Sequence, residues 1–369
     1  MKILFPFVGD TVGGSHVATC ILIKELLDQS NHQPVVVLHE NGILENYLRQ
    51  NNISYSIITD SPAIKEVRFF KLLFQMFTTI APLGSFLKSN DIDLVHTNDL
   101  RMHYTWLLPS FFGNSIRHIW HQHSQTSSWR LAVFSFFTNT VLTISEYCKL
   151  SFPYFFKRKA KVIYNPFKSK EYNSPPVKTI GERLHLSDRD KIIGFVGNLT
   201  SQKRPDFFIK VAEEFLRKYK DYHFCYFVLI GEERDPLYTR LKHELQLSPA
   251  KDYIHFLGAC FPIEPYIQEM DILIAPATNE GLGRTVIESM LCDTPVIASN
   301  HGGHKEIIEH GKTGFLVNPS SHDEFVDLLI HLLDNDSYRS KISKKAYLKA
   351  QERFSINLYL KQIETAYEG

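Results

Sequence analysis

The chain has 369 residues, of which 44% are hydrophobic and 22% charged; that is more than one hydrophobic core ordinarily serves, so two domains are expected and long disordered regions are not. Lys and Arg number 41 against 40 Asp and Glu, a balance that excludes the global positive field with which a protein grips many nucleic-acid phosphates. The five cysteines, Cys20, Cys148, Cys225, Cys260 and Cys292, stand singly with no CxxC pair, which argues for reduced thiols in the cytosol and against a metal knuckle.

The opening "MKILFPFVGD" has one lysine and an apolar run too short for a signal-peptide core, so a first buried strand is expected there. Behind it, "HVATCILIKELLDQS" has a helical pattern, and "PVVVLHE", "ISYSII", "DLVHTN" and "RHIWHQH" are β-rich runs, the last three separated by helical stretches. Strands that alternate with helices need crossover connections, which implies a parallel sheet. The most membrane-like stretch, Phe69 to Leu87, is interrupted by Lys71, Gln75 and Pro82, and no span is expected, since one needs about 20 mainly apolar residues. The loose "KSKEYNSPPVKTI" is the best linker candidate. From Lys191 the alternation restarts with "KIIGFVGN", "HFCYFVLIG", "YIHFLG", "DILIAPA", "TPVIAS" and "GFLV", a second α/β unit. In the tail, Phe354, Ile356, Leu358, Leu360, Ile363 and Tyr367 recur at helical spacing and predict a terminal helix.

Ligands of open α/β sheets bind beyond the carboxyl ends of the strands, so a site is expected in the turns that lead from strand to helix. The first turn, "GDTVGGSH", holds Gly9, Gly13 and Gly14 before a helix; these either let backbone amides approach an anion or serve only a tight turn. It is not GxGxxG, and no acidic residue closes the second strand in the dinucleotide manner, which argues against a Rossmann dehydrogenase. In "WHQHS", His121 and His123 share a strand face, where a histidine can bond sugar hydroxyls, handle a proton or be structural; His96 and Asn98 end another strand. In "FVGNLTSQKRPDFF", Lys203 and Arg204 precede a helix, as a diphosphate clamp or as two solvated cations. In "NEGLGRTVIESM", Gly281 and Gly283 free the turn to point amides at an anion, while Glu288 on the following helix can accept bonds from ribose hydroxyls.

The stretch "NEGLGRTVIESMLCDTPVIASNHGGHKEIIEHGKTGFLVNP" resembles glycosyltransferases of family 4, with Glu280 and Glu288 on the family's E-x7-E pattern. "VGGSHVAT", "VIYNPF" and "GNLTSQKRPD" add weaker likenesses. The resemblance implies an α/β GT-B fold in which two Rossmann-like domains with parallel sheets, 1–168 on the acceptor side and 169–348 on the nucleotide-sugar side, face a central cleft, and a terminal helix, 349–369, crosses back to the N-domain. It implies a retaining transfer from a UDP- or GDP-linked sugar, with no cofactor and no metal. Lys203 and the amides of Gly281, Leu282, Gly283, Arg284 and Thr285 would neutralise the diphosphate, Glu288 would hold the ribose and Glu280 the sugar hydroxyls. Gly14 would belong to the N-terminal glycine loop beside the donor. His123 would contact the sugar near the reacting centre, with His121 as second choice. Where the family commonly has arginine this chain has Asn198, and Arg204 or Arg284 would have to supply the missing charge. A saccharide or lipid-linked saccharide acceptor in cell-envelope or exopolysaccharide synthesis is expected. "VRFFKLLFQMF" and "SFPYFFKRKAK" interleave aromatics with Lys and Arg, so a cytoplasmic protein peripheral to the membrane is expected, the alternative being core helices with solvated cations. A nucleotide-sugar epimerase or a catalytically silent binding subunit are the alternative activities.

Overall fold

The computed structural model describes residues 1–65, 68–113, 116–126, 129–157, 159–168, 179–222 and 224–369. Most of the expected linker, residues 169–178, lies outside them, as do Val67 and Arg158 of the two aromatic and basic segments. The chain divides into two compact units, Met1–Pro166 with Ile356–Gly369, and Phe167–Ser355.

The first unit is built on seven parallel strands: β1 (Lys2–Phe7), β2 (Gln33–Leu38), β3 (Ser56–Ile57), β4 (Leu94–Thr97), β5 (Arg117–Gln122), β6 (Thr140–Thr143) and β7 (Ala160–Val162), in the order β3-β2-β1-β4-β5-β6-β7. In β1, Ile3, Leu4, Phe5 and Phe7 are all buried; helices cover both faces, so the strand is a continuous apolar run rather than an alternation. The chain winds outward from β1 to β3 and resumes with β4 on the other flank of β1, and that reversal opens a crevice at the ends of β1 and β4.

The second unit repeats the plan with β8 (Lys191–Val196), β9 (Cys225–Ile230), β10 (Ile254–Gly258), β11 (Ile272–Ala275), β12 (Val296–Ser299) and β13 (Phe315–Val317), in the order β10-β9-β8-β11-β12-β13, so its reversal lies between β8 and β11. These two pair through Ile193 with Ile272 and Gly194 with Leu273. A Cβ on Gly194 would fall 1.9 Å from the Met270 sulfur, which explains a glycine inside a central strand. The Pro205–Lys218 helix that leaves β8 starts on proline, where the missing N–H costs no intrahelical bond. It buries Phe207, Phe208, Val211, Ala212 and Phe215 and leaves Lys210 and Arg217 exposed, the usual division of a surface helix.

Two expectations shift. The tail is not one helix from 349: Asp336–Arg353 is a continuous helix of the second unit, and a new helix, Ile356–Glu368, joins the first. Counting a helical period from Phe354 runs across this break, so the buried stripe is Tyr359, Leu360, Ile363, Ala366 and Tyr367, packed with Ile3, Phe5 and Ile119, while Leu358 is exposed. The Phe69–Ser89 stretch is, by length and composition alone, long and apolar enough to cross a membrane. Pro82 fails to break it because it falls in the first turn of the Ile80–Ser89 helix, where no N–H is needed. Its inner face buries Leu72, Met76, Leu83 and Leu87 in the first unit.

Candidate active site

In the second unit, the turn after β8 and the turn after β11 meet over the topological reversal. Lys203 follows β8 and Glu280 follows β11; Lys203 Nζ donates to Glu280 Oε2 at 2.5 Å. They line a narrow crevice with Phe195, Gly283, Thr285 and His304. Burial pushes the Glu280 carboxyl up, yet the charge and hydrogen bond of Lys203 outweigh it and hold the group below the ordinary carboxylate range. A second tie joins the same loops, with Gln202 Nε2 donating to the Asn279 carbonyl at 3.1 Å.

The turn that presents Glu280 is set by the next strand's turn. The Gly303 amide donates to the Glu280 carbonyl at 2.8 Å. A Cβ on Gly302, whose φ is +58°, would fall 2.7 Å from the same carbonyl, and one on Gly303 would fall 2.7 Å from the Gly281 carbonyl. Gly302 and Gly303 are therefore glycines because one backbone lies directly on another. Gly283, with φ +97°, caps the Arg284–Leu291 helix, whose first turn aims its partial positive end back at the crevice. Leu282 is buried beneath the turn.

The other expected donor residues are placed differently. Glu288, one turn along this helix, pairs with Arg284 Nη2 at 3.1 Å. The Arg284 guanidinium also lies 4.6 Å over the Phe167 ring, and its Nη1 is buried without a hydrogen-bond partner. Arg204 has φ 58°, donates to the Pro319 carbonyl at 2.6 Å and to the Pro276 carbonyl at 3.4 Å, and stacks 4.3 Å over Phe207. Asn198 is exposed on the loop after β8, its carbonyl taken by the Thr200 amide at 2.7 Å. None of Arg284, Arg204 and Asn198 lines the crevice beside Lys203.

In the first unit, Gly14 is the exposed first residue of the Gly14–Gln29 helix. Gly9, φ +116°, sits where a Cβ would fall 2.0 Å from the Glu40 carbonyl, so it is there for close approach between the turns after β1 and β2. His123 lies just past β5, partly exposed, with Nε2 3.2 Å from Asn98 Oδ1. Its ring is 4.4 Å from that of His121. His121 is fully buried and leads inward: His121 Nδ1 is 3.3 Å from His96 Nε2, and His96 Nδ1 is 2.7 Å from the Tyr367 hydroxyl of the terminal helix. Burial drives the His121 imidazole well below its ordinary value and His96 to about 3, so both are held neutral. His123 is thus the histidine that can meet a ligand and His121 the one that links it to the core. Among the described residues no three His, Cys, Asp or Glu side chains converge as metal ligands would.

Sequence reasoning passed over His304. It lines the crevice with Glu280, is buried, and bonds through Nδ1 to Ser299 Oγ at 3.2 Å; burial takes it to about 4 against the pull of Glu280. Its place directly after Gly302 and Gly303 in a strand-to-helix turn was the available signal.

Residues 177–349 match glycosyl transferases group 1. Over its whole length the chain is 23% identical to an uncharacterized glycosyltransferase of Methanocaldococcus jannaschii, covering 98% of it. It is 27% identical over 180 residues to the alpha-D-kanosaminyltransferase of Streptomyces kanamyceticus, 48% of this chain and 45% of that protein, so it spans less than half of that relative. Among solved structures, Anabaena HepE in complex with UDP superposes with a TM-score of 0.84 at 20% identity, all of both chains being covered. That likeness shows the fold, two Rossmann-like α/β units with parallel sheets, the GT-B type.

Proposed function

We propose that the chain is a glycosyltransferase that moves a sugar from a UDP- or GDP-linked donor to a hydroxyl of a saccharide or lipid-linked saccharide, with retention at the anomeric carbon and without a divalent metal. The observation that carries the reading is the Lys203–Glu280 pair, 2.5 Å apart at the β8/β11 reversal and beside the N-terminus of the Arg284–Leu291 helix. The pair, its side chains 29% and 15% exposed, is an exchangeable arrangement: an arriving diphosphate takes up the Lys203 ammonium, and Glu280, released, accepts bonds from hydroxyls of the transferred sugar, so that neither group is left without a hydrogen-bonding partner. The amides of Gly281 to Thr285 and the Lys203 charge then stabilise the negative charge growing on the leaving phosphate, the work a divalent cation does in other transferases. Glu288 binds the ribose. His123, with Asn98 beside it, addresses the sugar near the anomeric carbon. The leaving phosphate oxygen takes the acceptor proton on the face from which the acceptor attacks, and the configuration is retained.

HepE, whose fold this chain shares, has been solved with UDP-glucose, so uridine donors head the panel. The expected result is release of UDP or GDP from one nucleotide sugar, dependent on acceptor, lost in Lys203→Ala and Glu280→Gln, and unaffected by chelator. Conversion of the sugar without acceptor or nucleotide release would replace transfer by epimerisation. Loss of activity on chelation, restored by Mg²⁺ or Mn²⁺, would overturn the metal-free clamp. The protein acts in the cytoplasm, in envelope or exopolysaccharide synthesis, and meets its acceptor as a peripheral protein at the membrane.

A further inference from the structure

The first unit carries an apolar edge that its own core does not use. On the Phe69–Thr78 helix the inner face buries Leu72 and Met76, and the opposite face, where a surface helix ordinarily carries charge, presents Phe70, Phe74 and Phe77, exposed by 84%, 69% and 58%. Spacing of four and three residues puts the three rings on one stripe. An aromatic side chain has on the order of 200 Å² of surface, so these three expose about 400 Å², already comparable with the largest apolar patch of an ordinary monomer. The patch continues. Phe69, at the root of the stripe, lies 4.9 Å from Trp129, which is exposed at the start of the Trp129–Ser135 helix. Beyond that helix Phe136, also exposed, contacts Phe137, which contacts Phe111 of the neighbouring helix end.

Along the two segments that form this edge one sign of charge prevails. From Arg68 to Asn90 there are three Lys or Arg and no acid, and from Trp129 to Lys161 there are six basic residues and one acid, Glu146, in a chain whose totals are 41 and 40. Lys159 Nζ lies 5.8 Å over the Phe136 ring, and Lys71 is exposed between Phe70 and Phe74. Long cationic side chains that rim a layer of aromatics match a bilayer interface, where rings enter the headgroup boundary and lysines stay with anionic lipid. A second copy fits poorly, because a two-fold contact would set this basic rim against itself, and protein interfaces are in general depleted in lysine.

We propose that this edge of the first unit, formed by the outer face of the Phe69–Thr78 helix and the Trp129–Phe137 segment, is a docking surface for an anionic lipid bilayer. It deepens the peripheral location proposed above by naming the surface and the lipid class, and it stands on the first unit alone, independently of the donor chemistry of the second.

The test is co-sedimentation of the full chain with phosphatidylcholine or phosphatidylglycerol vesicles at low and high salt. The wild type is expected to partition onto phosphatidylglycerol and much less onto phosphatidylcholine, and to be released by salt. Phe70→Ser/Phe74→Ser/Phe77→Ser should lose about ten-fold or more of that partition, and Lys71→Gln or Lys159→Gln about five-fold each. Thermal unfolding of these variants, and their UDP or GDP affinity, should stay at wild-type values, which separates a failure of docking from a failure of the donor site. Wild-type protein that stays in the supernatant with phosphatidylglycerol at low salt, or a triple variant that binds like wild type, overturns the proposal. So does a concentration-dependent dimer without vesicle binding that the triple variant abolishes.

Discussion

Arg204 and Arg284 are the two cations available to make up for Asn198, and their surroundings separate them. The Arg204 guanidinium bridges the carbonyls of Pro276 and Pro319 and stacks on Phe207; it fastens the β11 turn and the loop after β13 to the start of the Pro205–Lys218 helix. Arg284 spends one nitrogen on Glu288 and keeps Nη1 buried without a partner, an arrangement that costs free energy until an acceptor arrives. Arg204→Ala should therefore lower stability by about 1–3 kcal/mol while nucleotide affinity moves little. Arg284→Ala should weaken UDP or GDP binding by roughly ten-fold, about 1.4 kcal/mol, with a smaller change in stability. Calorimetric titration paired with thermal melts on both variants checks this. Unchanged nucleotide binding in both would end the idea that an arginine replaces the charge missing at Asn198.

At the scale of elements, the donor turn is held by backbone rather than by side chains. The Gly302–Gly303 turn rests on residues 280–282, and the atoms an added Cβ would strike are carbonyl oxygens and Leu282 Cα, which cannot rotate away. Gly303→Ala should shift Glu280 out of reach of Lys203, cost about 1–3 kcal/mol of stability as other overpacked sites do, and lower kcat by about a hundred-fold, as misplacement near 1 Å does; a Gly303→Ala enzyme with wild-type kcat would refute that account. Much of this architecture was legible in the sequence, because β1, β8 and β11 announce themselves as short apolar runs ending in glycine or proline turns, and because Glu280 and Glu288 sit at readable spacing around one such turn. What could not be read depends on residues far apart in the chain. The His96–Tyr367 bond joins positions 271 residues apart, and the Lys203–Glu280 pair joins positions 77 apart; no local period encodes either. The stripe of the terminal helix was misplaced because the break at Phe354 and Ser355 resets the count, and the inward role of His121 was hidden because a two-residue spacing gives the shared face but not which member of the pair is buried.

At the scale of the whole molecule, the buried histidines make the two units unequal in acid. Burial takes His16 to about 4 and His96 and His118 to about 3, and drives His103 and His121 well below the ordinary value, all five in the first unit. Among the described residues the second unit has one histidine of this kind, His304 at about 4, with His255 and His322 moved less. A histidine whose folded value is depressed is neutral in the native chain but takes up a proton on unfolding once the pH drops below about 6.5, so the unfolded state binds more protons and stability is lost as the pH falls. By pH 5 each such group costs about 2 kcal/mol relative to pH 7.5, and five of them approach the whole stability of an ordinary domain. The carboxylates of Asp10 and Glu280, held below their ordinary range, stay ionised in both states over this window and contribute little slope. Asp99, whose carboxyl burial pushes up, opposes the trend with a single group. All three tryptophans, Trp106, Trp120 and Trp129, belong to the first unit, so tryptophan fluorescence reports its unfolding selectively. Its midpoint should fall by more than about 10 °C between pH 7.5 and pH 5, while a calorimetric transition silent in tryptophan fluorescence should move less. A fluorescence midpoint that is flat or rises on acidification would show that these imidazoles are not held neutral in the native first unit.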